Sequence, residues 1–189
     1  MIAVFDNFIK DQQLLNEIAA ENTFFNDPGI YKYWRGWWTT APKNVKQKLI
    51  QYIWQTELPI HISAEIHGFE YWTGVQSAEN SNHYDHLVLH LDDDVNYREK
   101  TGNRMFPFLG CVYYPAGSEF EGGDLAIYTD GLEKTPELIK AKSNRLVIFN
   151  PGEVVHCVQT VTKGTRRAIA INLWEIEPWS LSRGFIVEE

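Results

Sequence analysis

Residues 145–174 read RLVIFNPGEVVHCVQTVTKGTRRAIAINLW. Three runs in this stretch, 145–149, 154–161 and 166–174, are rich in β-branched and aromatic side chains, and Pro151-Gly152 and Gly164 punctuate them as turn residues. In an extended strand successive side chains alternate between faces. Arg166, Ala168, Ala170 and Asn172 therefore share one face, and Arg167, Ile169, Ile171 and Leu173 the other. The first face surrounds a fixed cation with small residues; a slip of one residue would expose Arg166 and bury Arg167 instead. Working outward, residues 60–75, 87–92, 106–114 and 124–128 have the same strand texture. Upstream, residues 4–9 (VFDNFI) read as a short strand or extended entry. Asp11 then caps a helix with Leu14, Leu15, Ile18 and Ala19 on one face, and Pro42 opens a second helix carrying Val45, Leu49, Ile50, Ile53 and Trp54. Two helices followed by many short strands describe a mainly β fold with supporting helices, a sandwich or jelly roll with the N-terminal helices packed on one sheet.

The 189 residues make one domain. We expect helical support over residues 1–58, a β core over 59–176 and a C-terminal tail over 177–189. A hydrophobic content of 44% with 22% charged residues excludes wholesale disorder. The net charge of −8, from 25 acidic against 17 basic residues, opposes nucleic acid as the main partner. No apolar run is long enough to span a bilayer, and residues 1–10 (MIAVFDNFIK) lack the pattern of a signal peptide. Cys111 and Cys157 form neither a CxxC pair nor a disulfide framework. The expectation is a cytoplasmic protein with no membrane partner; the oligomeric state is not legible. Two polar connections stand out. Residues 93–104 (DDVNYREKTGNR) read as a mobile functional loop, and residues 129–144 as a connection with a helical turn after Pro136. The aromatic segment 31–38 (YKYWRGWW) holds Trp34, Trp37 and Trp38, which either wall a substrate site or cover the outside of a sheet.

Six histidines are present. In His90-Leu91-Asp92 the period of two aims both polar side chains at one point, with Leu87, Leu89 and Leu91 turned away. With a distant histidine, His156 in the apolar run after Pro151-Gly152, they complete a two-histidine, one-carboxylate facial triad that leaves coordination positions open. The HxD pattern alone is weak, since His83-Tyr84-Asp85 is a second copy. Arg166, set among small residues, suits a small dicarboxylate held by a guanidinium. Cys157 turns away from the metal by parity, and Asp93 and Asp94 read as loop residues beside the site.

The collinear set His90-Leu91-Asp92, Cys111-Val112-Tyr113-Tyr114, Gly122-Gly123-Asp124-Leu125, Arg145-Leu146-Val147-Ile148-Phe149, His156-Cys157-Val158 with Val161, and Gly164-Thr165-Arg166-Arg167-Ala168-Ile169 resembles the Fe(II)- and 2-oxoglutarate-dependent oxygenases, in their prolyl-hydroxylase-like branch. The resemblance covers about half of the chain. It implies a double-stranded β-helix with iron on His90, Asp92 and His156, the copy at 90–92 taken over that at 83–85. It implies that Arg166 binds the distal carboxylate of 2-oxoglutarate with Tyr114, or Tyr113 if the register slips, and Asn172 joins the cofactor contacts. Fe(II), 2-oxoglutarate and dioxygen are the implied cofactors, with ascorbate as a further one. Where the family continues its tyrosine pair with Leu-Asn, this chain reads Tyr114-Pro115-Ala116, which bears on substrate identity.

The activity implied is oxidative decarboxylation of 2-oxoglutarate coupled to hydroxylation of a C–H bond, first of all in a prolyl residue of a protein or peptide. A free amino acid or other small metabolite is the second reading. A non-catalytic, cupin-like jelly roll binding a metal or anion is the third.

Overall fold

The computed structural model describes residues 1–21, 24–58, 65–79, 87–115, 119–180 and 186–187. Strand β1 (Ile2–Phe5) is followed by helix α1 (Gln12–Ala20), β2 (Lys32–Trp34) and α2 (Val45–Gln55). Then come β3 (Gly68–Ser77), β4 (Leu87–His90), α3 (Val95–Thr101), β5 (Leu109–Tyr114), β6 (Phe120–Gly122) and β7 (Leu125–Tyr128). The chain ends with β8 (Glu137–Ile139), β9 (Arg145–Phe149), β10 (Val155–Val158), β11 (Val161–Trp174) and β12 (Ile186–Val187). The larger sheet runs β1-β9-β5-β11-β3-β2-β12, with β6 also on β11; the smaller runs β4-β10-β7-β8. Neighbours pair antiparallel except β12 on β2. This is the expected jelly roll.

Alternation along β11 divides the molecule. Ile169, Ile171 and Leu173 meet Leu14, Ile18, Leu49, Ile50 and Ile53 of the two helices in one core. Ala168 faces the other way, joining Tyr114, Leu125, Ile127, Val147 and Phe149 between the sheets. The register is the one that buries Arg166 at 2% exposure, while Arg167 stays exposed.

Local chemistry moves several element ends. Asp11 caps α1 as expected, accepting from the Gln13 and Leu14 amides. The second helix starts at Asn44, whose side chain accepts from the Gln47 amide, rather than at Pro42. The strand read over 60–75 begins at Gly68, and residues 59–64 lie outside the described ones. Residues 93–104 are not a long loop. Asp94 caps α3 through the Tyr97 amide, and Gly102 closes it in the left-handed region at φ 73°. The expected helical turn after Pro136 is instead β8, paired with β7. The run read over 154–161 is two strands, β10 and the start of β11.

Asn144 locks the N-terminal segment to the large sheet. Its Oδ1 accepts from the Ile9 amide at 2.9 Å and the Tyr113 hydroxyl at 3.1 Å, while Nδ2 donates to the Ile9 carbonyl at 3.0 Å. It does so at φ 55°, a conformation Asn tolerates better than most residues. Asn144→Ala removes all three side-chain bonds and strains the backbone, so we expect a loss of about 2–4 kcal/mol in urea unfolding. Asn144→Gly relieves the strain but should recover only the smaller part. Either variant unfolding at the wild-type midpoint would refute the role.

Candidate active site

His90 ends β4, and its Cα partner across the ladder on β10 is His156, so the two imidazoles stand side by side with ring centroids 4.3 Å apart. Asp92 follows two residues later, its amide donating to the Pro151 carbonyl at 2.9 Å. One nitrogen from each histidine and one Asp92 oxygen lie within 4.8 Å of one another. The second layer of contacts fits a metal. His90 Nδ1 is 2.7 Å from the Val88 carbonyl oxygen, and His156 Nδ1 is 3.1 Å from that of Val154. A carbonyl only accepts, so each ring carries its proton on Nδ1 and turns a bare Nε2 inward. Those Nε2 atoms lie 3.3 and 3.6 Å from Asp92 Oδ1, while Oδ2 is occupied by the Asn172 amide at 3.0 Å.

The electrostatics match that arrangement. Burial would raise the Asp92 pKa, but the His90 hydrogen bond, the His156 charge and the Asn172 amide hold it below the usual value. Burial lowers His156 against the pull of Asp92, with His90 adding to the depression. Burial also opposes charge on His90, yet the Asp92 contact and the Val88 carbonyl raise it on balance. An ionised carboxylate beside a neutral imidazole is the state that binds a divalent ion.

A narrow cavity runs from these three residues between the sheets to Arg166, lined by Leu125, Phe149, Val158, Ala168 and Ala170. The buried guanidinium donates through Nε to the Gly123 carbonyl (2.9 Å), through Nη1 to Gln76 Oε1 (2.7 Å) and through Nη2 to the Tyr114 hydroxyl (3.1 Å). A guanidinium has five N–H donors, so two remain for a carboxylate. Gly123 sits at φ 69°, and a Cβ there would lie 2.8 Å from Arg166 Cδ, so only glycine admits the cation.

The structure thus brings His90, Asp92 and His156 together at one end of this cavity and Arg166, backed by the Tyr114 hydroxyl, at the other. One expected contact, Tyr113, lies elsewhere, while Asn172 is among the residues that line the cavity. Tyr113 faces the helix-side core and gives its hydroxyl to Asn144, because neighbours on β5 point to opposite faces. Asn172 spends its amide on Asp92 and on Glu70 Oε2, at 3.3 Å for the latter. Trp34, Trp37 and Trp38 pack around Phe69, on the other side of β3 from Glu70 and Trp72, and so cover the outside of the sheet. Asp93 is held by Arg98 and Arg104. Cys157 is half-buried, while His61 and the second HxD copy at 83–85, with His86, lie outside the described residues. The reading of the sequence missed Gln76, although β3 aligns it directly with Arg166. It also missed Glu70, Trp72 and Tyr31, which line a larger cavity of about 500 Å³ together with His90 and Asp92.

The sequence profile of the 2OG-Fe(II) oxygenase superfamily matches residues 74–174, just over half of the chain. The chain belongs to this superfamily. The family uses Fe(II), 2-oxoglutarate and dioxygen, so the protein is a 2-oxoglutarate-dependent dioxygenase. No curated protein sequence matches it. Among solved structures, the oxygenase is similar to a Pseudomonas putida prolyl 4-hydroxylase at 17% identity and TM-score 0.62, covering 92% of this chain and 91% of that one. It is also similar to a viral collagen prolyl hydroxylase from Paramecium Bursaria Chlorella virus-1, solved as its 2-oxoglutarate complex (13% identity, TM-score 0.52, 93% and 96% covered). A third is a Trichoplax adhaerens prolyl hydroxylase in complex with a hypoxia-inducible factor peptide fragment (15%, 0.51, 97% and 87%). These likenesses establish a prolyl-hydroxylase-like fold. Among the described residues, no helix of the oxygenase is long and apolar enough to cross a membrane.

Two outcomes follow from this geometry. Asn172→Ala frees Asp92 Oδ2, and we expect roughly 10–100-fold weaker metal binding in an anaerobic Fe(II) titration, with the sheets intact by circular dichroism. Unchanged affinity would mean that Asn172 does not orient the ligand. In the metal-free oxygenase, burial first and the Asp92 charge second push Glu70 from 4.5 up to about 8, against the bonds from Asn172 and Trp174. The native state then holds a proton that the unfolded chain has released, so this residue's contribution to stability falls as pH rises from about 4.5 to about 8. Glu70→Gln should flatten that stretch of a pH series of urea unfolding; an identical slope would refute the shift.

Proposed function

We propose that the oxygenase binds iron through His90, Asp92 and His156, holds the distal carboxylate of 2-oxoglutarate on Arg166 and Tyr114, and hydroxylates a prolyl residue of a peptide. The observation that carries this reading is the single inter-sheet cavity with three convergent ligand atoms at one end and a buried guanidinium with two spare donors at the other. When bound, the iron supplies the oxidation, coupled to decarboxylation of 2-oxoglutarate. The chain supplies the rest. His90 and His156 turn Nε2 inward because their Nδ1 protons are committed to backbone carbonyls. Asn172 holds one Asp92 oxygen and leaves the other for the metal. Arg166 is kept in one orientation by Gln76, Gly123 and Tyr114, so a dicarboxylate meets a preorganised fork. Leu125, Phe149, Ala168 and Ala170 keep the passage apolar and limit water.

Support for a peptide substrate comes from the width of the neighbouring cavity and from the prolyl hydroxylase neighbours, one of them solved with a peptide. The test is an anaerobic titration of metal-free protein with Fe(II) and then 2-oxoglutarate, following the visible metal-to-oxoglutarate charge-transfer band. His90→Ala should abolish the band, and Arg166→Ala should raise the 2-oxoglutarate requirement by roughly 30–1000-fold, with Arg166→Lys between. With oxygen admitted, prolyl peptides should gain one oxygen atom while succinate forms. A wild-type protein that folds but gives no band would overturn the iron and cosubstrate assignment. Succinate formation that no prolyl peptide stimulates would overturn the substrate.

A further inference from the structure

Glu70 lies at the base of the larger cavity, 8% exposed, on the face of β3 that looks toward Asp92. Among the described residues two donors reach it, Asn172 Nδ2 at 3.3 Å and Trp174 Nε1 at 3.2 Å, and both converge on Oε2. Oε1 is left to the cavity. Among the described residues no lysine, arginine or histidine is paired with this carboxyl. The two arginines that line the same cavity, Arg98 and Arg104, are turned to Asp93, and Asp94 is occupied by the Tyr97 and Ser180 amides. A buried carboxyl held only by neutral donors is costly in its charged form, and the open space in front of Oε1 is where a balancing cation has room.

The walls suit such an occupant. Tyr31 and Trp72 pack against each other at 4.7 Å between ring centroids, tilted by 35°, and Trp174 closes the inner side. Aromatic faces attract an alkylammonium group, the more so when it is partly desolvated. The position relative to the chemistry is also fixed. Asn172 Nδ2 bonds Asp92 and Glu70 together, so a cation on Oε1 stands only a few bond lengths from the metal-binding residues.

We propose that Glu70, with Tyr31 and Trp72, binds a protonated amino group of the substrate close to the carbon that is hydroxylated. This rests on the 2-oxoglutarate-dependent reading above and narrows its substrate class. The ammonium group has three sources: a peptide N-terminus, a lysine next to the target, or the amino group of a free amino acid. Each gives the same chemistry at Oε1, and matched probes separate them.

The experiment uses the full chain loaded anaerobically with Mn(II) and 2-oxoglutarate, with binding followed by quenching of tryptophan fluorescence. The probes are glycyl-prolyl-glycine amide against its N-acetyl form, N-acetyl-glycyl-prolyl-lysine amide against its norleucine counterpart, and L-proline against N-acetyl-L-proline. In at least one pair the charged member should bind roughly tenfold or more tightly, and Glu70→Gln should reduce that ratio to below about threefold. Should that variant fail to fold, Tyr31→Leu, at the exposed outer wall, is expected to narrow the same ratio. Equal binding within all three pairs, or a preference that survives Glu70→Gln, overturns the proposal. The charge-transfer band of the wild-type Fe(II) complex reports separately on the underlying reading, so the two can fail independently.

Discussion

Arg166 carries a permanent charge into the space between two sheets whose facing side chains are mostly apolar, and it survives there because two neighbouring strands and a turn each supply an acceptor. Its acceptors come from β3 (Gln76), β5 (Tyr114) and the glycine after β6 (Gly123). Leaving a buried charge unpaired costs several kcal/mol, so the register of β11 against β3 and β5 is constrained by this one side chain as well as by the core on its other face. That register in turn puts Asn172 opposite Glu70 and next to Asp92. Arg166, Ala168, Ala170 and Asn172, which all line the inter-sheet cavity, are thus spaced along a single strand at a period of two.

Much of this was legible in residues 145–174, because alternation is a property of the backbone and needs no knowledge of neighbours. Arg166 in and Arg167 out follows from the small residues that share the first face. His90 and Asp92 were legible for the same reason. What the sequence withheld was pairing between distant strands. Gln76 and Glu70 look like ordinary polar residues on an amphipathic run until β3 is laid against β11. For Asn172 parity gave the cavity face, and only the packed sheets show its amide on Asp92 and Glu70. Of the tyrosine pair, Tyr114 was the first choice and Tyr113 the choice for a slipped register; the Asn144 contact puts Tyr113 on the helix side.

The segment 93–104 shows another limit. Its composition is polar and carries no apolar stripe, so periodicity gives no helix. The helix forms because Asp94 and Gly102 close its ends and because Asp93 gathers Arg98 and Arg104. End effects of this kind hold a short helix without a buried face. The outcome places Arg98 and Arg104 at the cavity that His90 and Asp92 also line, tied to an acid of their own instead of competing for Glu70.

Strand β4 is the edge of the smaller sheet and, among the described residues, pairs only with β10. Leu87, Val88 and Leu89 on it are 41–71% exposed, so little packing holds the strand in place. Its last residue nevertheless carries one of the three side chains that could hold a metal ion. A metal bridging His90 to His156 would act as a covalent-like rivet across the outermost ladder, and metal affinity would become mechanical strength at the rim of the barrel. Loading and fraying would then oppose each other along one edge, the strand with the least packing being the one a bound ion would hold.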